Sequence, residues 1–209
     1  MDYNKFIEYE RRALSTVYTE GHGGFHDTLI PKLANKFLPE FNLDINARIA
    51  DIGCGTGMFM STARDLGFNN CIGVTLSQED VDACITQGFT CVNASMSDLP
   101  FPDNELDFIW CRHALEHSPY PLFTLYEFHR ALRSGGTIYI EVPAPNNERE
   151  YVHEYNPNHY SILGERMWTA LFQKAGFTVA IKWDYHITVP MDGRIYEKEA
   201  SYVFGLIKP

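Results

Sequence analysis

The segment Ala47–Met60 reads ARIADIGCGTGMFM. An apolar run ends at Asp51, glycines follow at alternate positions (Gly53, Gly55, Gly57), and a helical pattern begins at about Met58. Glycines placed this way let the backbone turn tightly and approach a ligand with no Cβ in between. The helix that follows offers unpaired N–H groups at its start, suited to a carboxylate or phosphate. A strand, a glycine turn and a helix in that order start a βαβ unit, and this restricts the rest of the chain more than any other feature.

The pattern that follows extends the same architecture. Arg48–Ile52, Cys71–Leu76, Phe89–Asn93, Leu106–Cys111 and Thr137–Val142 read as strands. Helical patterns separate most of them: Met58–Leu66 stopping at Gly67, a helix from the N-cap Ser77 to Gln87 stopping at Gly88, and one opening at Pro121 and ending near Arg133. Strands alternating with helices predict a parallel, doubly wound sheet, and the nearly unbroken apolar character of the strands fits helices on both faces. Residues 3–19 and 27–38 read as two helices ahead of the sheet, with the Gly21–His26 run between them as a turn or hinge. Ser161–Ala175 reads as a helix, followed by two strands, Phe177–His186 and Ser201–Ile207, forming an antiparallel pair. A last helix or loop is expected around Met191–Glu199. The expected fold is a Rossmann-like α/β/α sandwich: a seven-stranded, mostly parallel sheet with an antiparallel last strand, plus N-terminal helices.

At 209 residues the chain has the size of one domain. Within it, 1–46 reads as an N-terminal helical cap, 47–142 as the ligand-binding core, 143–160 as an aperiodic lid and 161–209 as the end of the sheet. A loop as long as 143–160 in a compact domain is usually functional. With 17 Lys+Arg against 27 Asp+Glu the formal net charge is −10, and no basic run interrupts it. Such a chain repels a polyanion at long range, so nucleic acid is not an expected partner. No run approaches the roughly 18 apolar residues of a membrane helix, and the first residues, MDYNKFIEYERR, lack the apolar core of an export signal. Five cysteines with no C-x-x-C pair read as buried thiols of a reducing compartment. A cytoplasmic protein is expected.

Two cofactor classes fit the glycine turn. The dinucleotide fingerprint G-x-G-x-x-G is not matched, because the spacing here is G-x-G-x-G and Thr75, not Asp or Glu, ends the next strand. S-Adenosylmethionine carries an ammonium and a carboxylate at its amino-acid end. Asp51 can pair the ammonium while the Gly53–Gly57 backbone approaches the carboxylate.

Five segments then occur in order: DIGCGTG (51–57), GVTLS (73–77), DLPFPDNELDFI (98–109), RHALEH (112–117) and LRSGGTIYIEVP (132–143). Together they resemble the class I S-adenosylmethionine-dependent methyltransferases, and most closely the small-molecule group of the ubiquinone/menaquinone-biosynthesis type. NHYSILGERMWTALFQKAGF (158–177) extends the resemblance more weakly. It implies S-adenosylmethionine as cofactor, S-adenosylhomocysteine as product and a small-molecule methyl acceptor. It places Asp51, Gly53, Cys54, Gly55 and Gly57 around the methionine end, Thr75 and Leu76 at the ribose and adenine, Ser95 and Met96 beside the adenine, and the Arg112 backbone against the cofactor. Thr75 and Ser95 depart from the acidic residues usual in the family, so their contacts lack charge assistance. The string VTLS at 74–77 is also similar to cyclopropane-fatty-acid synthases, a group for which this chain is short. No DPPY- or NPPY-like motif is present.

Methyl transfer is an in-line displacement with a neutral leaving thioether, so alignment matters most and a base is needed only where the nucleophile must lose a proton. His113-Ala114-Leu115-Glu116-His117 follows the fourth strand, at the edge where open α/β sheets bind ligands. His117 and His159 are the candidate catalytic groups, as bases or orienters, since imidazole titrates near neutral pH. His113, His117, Tyr155, His159 and Tyr160 are the candidate acceptor contacts. Each also has a purely structural reading, and Glu116 can simply hold local backbone. The H-x-x-E-H spacing matches a zinc-protease pattern, but that needs a helix and a third ligand, so no metal is expected. A catalytically inactive binding or regulatory module on the same fold is the alternative to an enzyme.

Overall fold

The computed structural model describes residues 3–14, 25–145, 157–191 and 194–209. The strands, numbered along the chain, are β1 Ile49–Ile52, β2 Cys71–Thr75, β3 Thr90–Asn93, β4 Leu106–Arg112, β5 Leu132–Pro143, β6 Thr178–Met191 and β7 Arg194–Ile207. The helices are α1 Tyr3–Ala13, α2 Phe25–Phe37, α3 Met58–Asp65, α4 Gln78–Thr86, α5 Pro121–Ala131 and α6 Glu165–Lys174. Short 3-10 turns cover Leu38–Phe41 and Leu115–His117.

The strand order is β3-β2-β1-β4-β5-β7-β6. β1 pairs in parallel with both β2 and β4, and β7 runs antiparallel to β5 and β6. The chain winds outward from β1 to β3, then returns to β4 on the other side of β1. That reversal opens a crevice beyond the carboxyl ends of β1 and β4, the position at which doubly wound sheets bind ligands.

Alternation along the strands builds two cores. On one face Ala50, Ile52, Ile109, Ile138 and Ile140 pack with Leu125 and Phe128 of α5 and with Trp168 and Phe172 of α6. On the other, Ile49, Phe108, Trp110 and Tyr139 pack with Leu33, Ala34 and Phe37 of α2 and Phe59 of α3. Trp110 is sandwiched there, stacked on Phe59 at 4.4 Å and on Tyr139 at 3.8 Å between ring centroids. The N-cap of α4 forms as expected, with the Ser77 Oγ accepting from the Asp80 N–H at 3.2 Å.

The structure corrects several sequence expectations. Residues 194–199 are strand, not helix or loop: Met191 pairs with Arg194, Val189 with Tyr196 and Ile187 with Glu199. An Asp-Gly pair at 192–193, between β-branched and aromatic runs, is the signature of a two-residue hairpin. β5 begins at Leu132, with a register shift that accommodates Gly135 and Gly136 as an irregularity, so α5 stops two residues earlier than expected. Of the first expected helix, Tyr3–Ala13 is present; residues 15–24, and with them most of the glycine run at 21–24, lie outside the described residues. So do 146–156, including Tyr151, His153 and Tyr155 of the expected lid.

Replacing Trp110 with Ala removes the centre of the three-ring stack. The expected loss is about 3–5 kcal/mol of unfolding free energy, read as a lower urea midpoint at an unchanged slope.

Candidate active site

The glycine turn is fixed by two hydrogen bonds to the neighbouring strand. The N–H groups of Gly53 and Cys54 donate to the Val74 carbonyl at 2.9 and 3.3 Å. Gly53 takes φ +71°, and a Cβ there would sit 2.7 Å from the Ala114 Cβ, so the turn lies directly against the segment after β4. Gly55 takes φ +49° and faces open space, with nothing within 4 Å of where its Cβ would be. Asp51, at the end of β1, is 3% exposed, and its Oδ2 has no hydrogen-bond partner. Burial pushes its carboxyl well above the usual range, and the Cys91 sulfur adds to the effect. No side chain caps the start of α3 behind the turn.

The rim beyond the turn is formed by the ends of β2 and β3. The Thr75 Oγ1 accepts from the Ser77 N–H at 3.2 Å, which leaves its own O–H available to donate. The Leu76 carbonyl accepts from the Asn93 side chain at 3.1 Å, and the Ala94 N–H donates to the Thr75 carbonyl at 3.0 Å. The Ser95 Oγ accepts from the Ser97 N–H at 3.1 Å, and Met96 packs partly buried against the core. The cofactor residues expected from the sequence therefore lie along one continuous edge of β1, β2, β3 and β4.

Under that edge lies a charged network that sequence reasoning missed. Glu141 of β5 is fully buried. It accepts from the Arg112 Nε at 3.1 Å, from the Tyr139 hydroxyl at 2.7 Å and from the Tyr185 hydroxyl, and its Oε1 lies 3.0 Å from the His113 Nε2. The other His113 nitrogen, Nδ1, lies 3.2 Å from the Glu116 Oε1. Burial alone would push Glu141 up, but Arg112, His113 and Tyr185 together bring its carboxyl down to about 2. Burial would likewise depress His113, but its two carboxylate partners raise it to about 10. His113 is therefore an imidazolium clamped between two glutamates, with its backbone in the left-handed region at φ 47°. The signal for this network was a glutamate inside an apolar strand, because a buried charge has to be paired.

Glu116 and His117 lie on the 3-10 turn, and residues 158–161 fold back onto them. The N–H groups of Tyr160 and Ser161 donate to the Glu116 carbonyl at 2.8 and 3.2 Å. The His117 Nδ1 lies 2.9 Å from the Asn158 carbonyl, and the His117 and His159 rings meet edge-on at 4.7 Å. Tyr160 is 43% exposed, and its hydroxyl donates to the Ala13 carbonyl at the end of α1. The structure thus brings together His113, Glu116, His117, His159 and Tyr160.

Cys54 is the exception among the turn residues, because its side chain points down. Its Sγ lies 3.5 Å from the Cys91 Sγ, and the Cys84 thiol reaches the Gly55 carbonyl at 3.3 Å. All five cysteines are free.

The family profile of the methyltransferase domain matches residues 50–140. A 27-O-demethylrifamycin SV methyltransferase of Amycolatopsis mediterranei is 24% identical over 163 residues, covering 69% of this chain and 59% of its own. A tRNA U34 carboxymethyltransferase of Campylobacter curvus is 25% identical over 113 residues, covering 51% of this chain and 38% of its own. The chain thus spans less than two thirds of the length of either relative. In fold it is similar to a SAM-dependent methyltransferase of Archaeoglobus fulgidus, with a TM-score of 0.71 at 18% identity, each chain covered over 100% of its length.

Changing Glu141 to Gln removes the buried carboxylate that faces Arg112 and one of the two that face His113. The expected cost is about 3–5 kcal/mol in chemical denaturation at neutral pH. Glu141 titrates at about 2 when folded, below its ordinary 4.5. Its contribution is therefore fully present above pH 4.5 and is lost as pH falls toward 2. The stability gap between wild type and Glu141→Gln is expected to narrow when the same titration is run below pH 4.5.

Proposed function

We propose, from the premise that the chain belongs to the class I S-adenosylmethionine-dependent methyltransferases, that it methylates an O, N or C nucleophile of a small molecule by in-line displacement. The observation that carries this reading is the pairing of an orphaned buried carboxylate oxygen on Asp51 with the open face of Gly55, on the sheet edge that also holds His117 and His159.

The family's cofactor is S-adenosylmethionine, and the residues at this edge fit it. Asp51 lacks a partner that an ammonium supplies, and the space beside Gly55 admits a carboxylate end against backbone. Once bound, the sulfonium supplies an electrophilic methyl group and a neutral leaving group. Asp51 holds the amino-acid end, and the Thr75 hydroxyl donates to the ribose. Ser95 and Met96 flank the base, and the Arg112 backbone closes the inner wall. His117 and His159 hold the acceptor and take its proton where there is one to lose. His113 acts through Glu116, as a positioning residue. Residues 1–46 and 143–160 are assigned to acceptor choice within one domain. Alignment of this kind can supply several kcal/mol of the barrier.

The charge of −10 favours a small acceptor over a nucleic acid, against the tRNA-modifying relative. Among the described residues no helix is long and apolar enough to cross a membrane, and five free thiols accord with work in the cytoplasm. The binding-module alternative draws on Thr75 and Ser95 standing where acids are usual.

S-Adenosylhomocysteine at 100 times its Kd is expected to stabilise the protein by about 2.7 kcal/mol, with NADH giving no shift in Tm. Gly55→Arg fills the open face, strains the backbone by about 1–2 kcal/mol and is expected to abolish the shift while the protein stays folded. A shift with NADH and none with S-adenosylmethionine or S-adenosylhomocysteine overturns the reading. A module predicts no shift at all, and a biological role that survives Gly55→Arg.

A further inference from the structure

We propose that Glu116, His117 and His159 together bind a divalent transition-metal ion, and that the methyl acceptor is a hydroxyl-bearing molecule that reaches the site by coordinating that ion. This deepens the methyltransferase reading and rests on it. One carboxylate oxygen and one nitrogen from each ring all lie within 4.8 Å of one another. Around a single ion with ligand bonds near 2.0–2.2 Å, such atoms come to about 3 Å from each other. The three ligand atoms would each have to move inward to close on one ion.

Three further observations distinguish this cluster from a chance meeting of polar groups. First, the Glu116 side chain is 1% exposed, its Oε1 is held by His113, and its Oε2 is buried with no hydrogen-bond partner. Leaving a carboxylate oxygen in that state is costly, and a cation removes the cost. Second, the His117 Nδ1 lies 2.9 Å from the Asn158 carbonyl. A carbonyl can only accept, so Nδ1 carries the proton and Nε2 is the basic nitrogen. That is the outer contact typical of metal-binding histidines. Third, the bonds from the Tyr160 and Ser161 N–H groups to the Glu116 carbonyl tie the segment carrying His159 to the turn carrying the other two ligands.

The ligand set also indicates what the ion does. Two imidazoles and one carboxylate suit Fe2+, Mn2+, Co2+ or Zn2+ and leave coordination positions open. The turn abuts the cofactor edge through Ala114 and Gly53. With their basic nitrogens on the ion, His117 and His159 would hold the acceptor rather than act as its base, and a hydroxyl on the ion would lose its proton to solvent because coordination lowers its pKa. Its oxygen then forms the O–CH3 bond as the S–CH3 bond breaks, and the bonding pair stays on sulfur. An acceptor with two adjacent oxygens would fill two of the open positions.

The H-x-x-E-H spacing, from which no metal was expected, contains two of the three proposed ligands, and His113 is not among them. Its ring is held by Glu116 and Glu141, and His159 takes its place from 42 residues further along the chain than His117.

The test is titration of EDTA-stripped protein with Co2+, followed by calorimetry and visible absorption. One Co2+ per chain is expected, without the intense near-ultraviolet band of a cobalt–thiolate bond. Glu116→Gln and His159→Ala should each weaken binding at least about tenfold, and His159→Ala guards against Glu116→Gln failing to fold. Cys84→Ser should leave binding unchanged. Absence of Co2+ binding, binding that survives both ligand substitutions, or binding lost in Cys84→Ser overturns the proposal. A Tm shift with S-adenosylhomocysteine is recorded on the same stripped protein. If that shift is present and Co2+ does not bind, the metal site fails and the methyltransferase reading stands. If the shift is absent, the methyltransferase reading itself fails, and the metal-site proposal that rests on it fails with it.

Discussion

Glu141 carries a full negative charge at a position without water, and much of the molecule is arranged to keep it there. Its donors come from its own strand and two others: Tyr139 on β5, Arg112 and His113 at the end of β4, and Tyr185 on β6. Ser201 of β7 joins at the same His113 nitrogen, its Oγ 3.3 Å from Nε2. One carboxylate thus fastens the parallel half of the sheet to the antiparallel hairpin that closes it. Removing any single donor leaves a buried charge short of compensation, which is worse than never having buried it.

The same clamp organises the site. Because His113 is held at both nitrogens, its positive charge is directed at Glu116, and Glu116 is fixed with one oxygen satisfied and the other bare. The left-handed backbone at His113 turns the chain from the strand into the 3-10 turn that carries Glu116 and His117. Gly53 then permits the cofactor turn to press on Ala114 at a distance no side chain would tolerate. Core, clamp and 3-10 turn are therefore consecutive links leading to the edge where the acceptor is proposed to bind.

Local chemistry was readable where it depends on neighbours in sequence. The strand–glycine–helix unit, the Ser77 cap and the stops at Gly67 and Gly88 follow from steric rules that operate over a few residues, and the structure has them all. What the sequence concealed are pairings over long separations. The partners of Glu141 sit 28 and 44 residues away from it, at His113 and Tyr185, and no spacing rule relates them. His159 joins His117 where the Tyr160 and Ser161 N–H groups meet the Glu116 carbonyl and the Asn158 carbonyl meets His117. The extension of β6 and β7 through 187–199 was a different kind of miss: the Asp192-Gly193 signal was present, but the charged run Glu197-Lys198-Glu199 masked the strand pattern around it.

The two bare oxygens at this edge, Oδ2 of Asp51 and Oε2 of Glu116, give the acidic composition a specific meaning. Each is a buried acceptor that water does not reach, and each lies beside a turn whose backbone the fold has fixed in advance. Burial of an unpaired carboxylate oxygen is unfavourable; at Asp51 it favours the proton, and at both positions a cation of suitable size would relieve it. At Asp51 the ammonium of an amino acid is the right match, because the adjoining glycines leave room for the carboxylate attached to it. At Glu116 two imidazoles converge on the same volume, and a metal ion is the cation that can use all three groups at once. Desolvation spent on these carboxylates in folding is thus recovered on binding, so occupancy of either position should stabilise the fold as well as prepare the reaction.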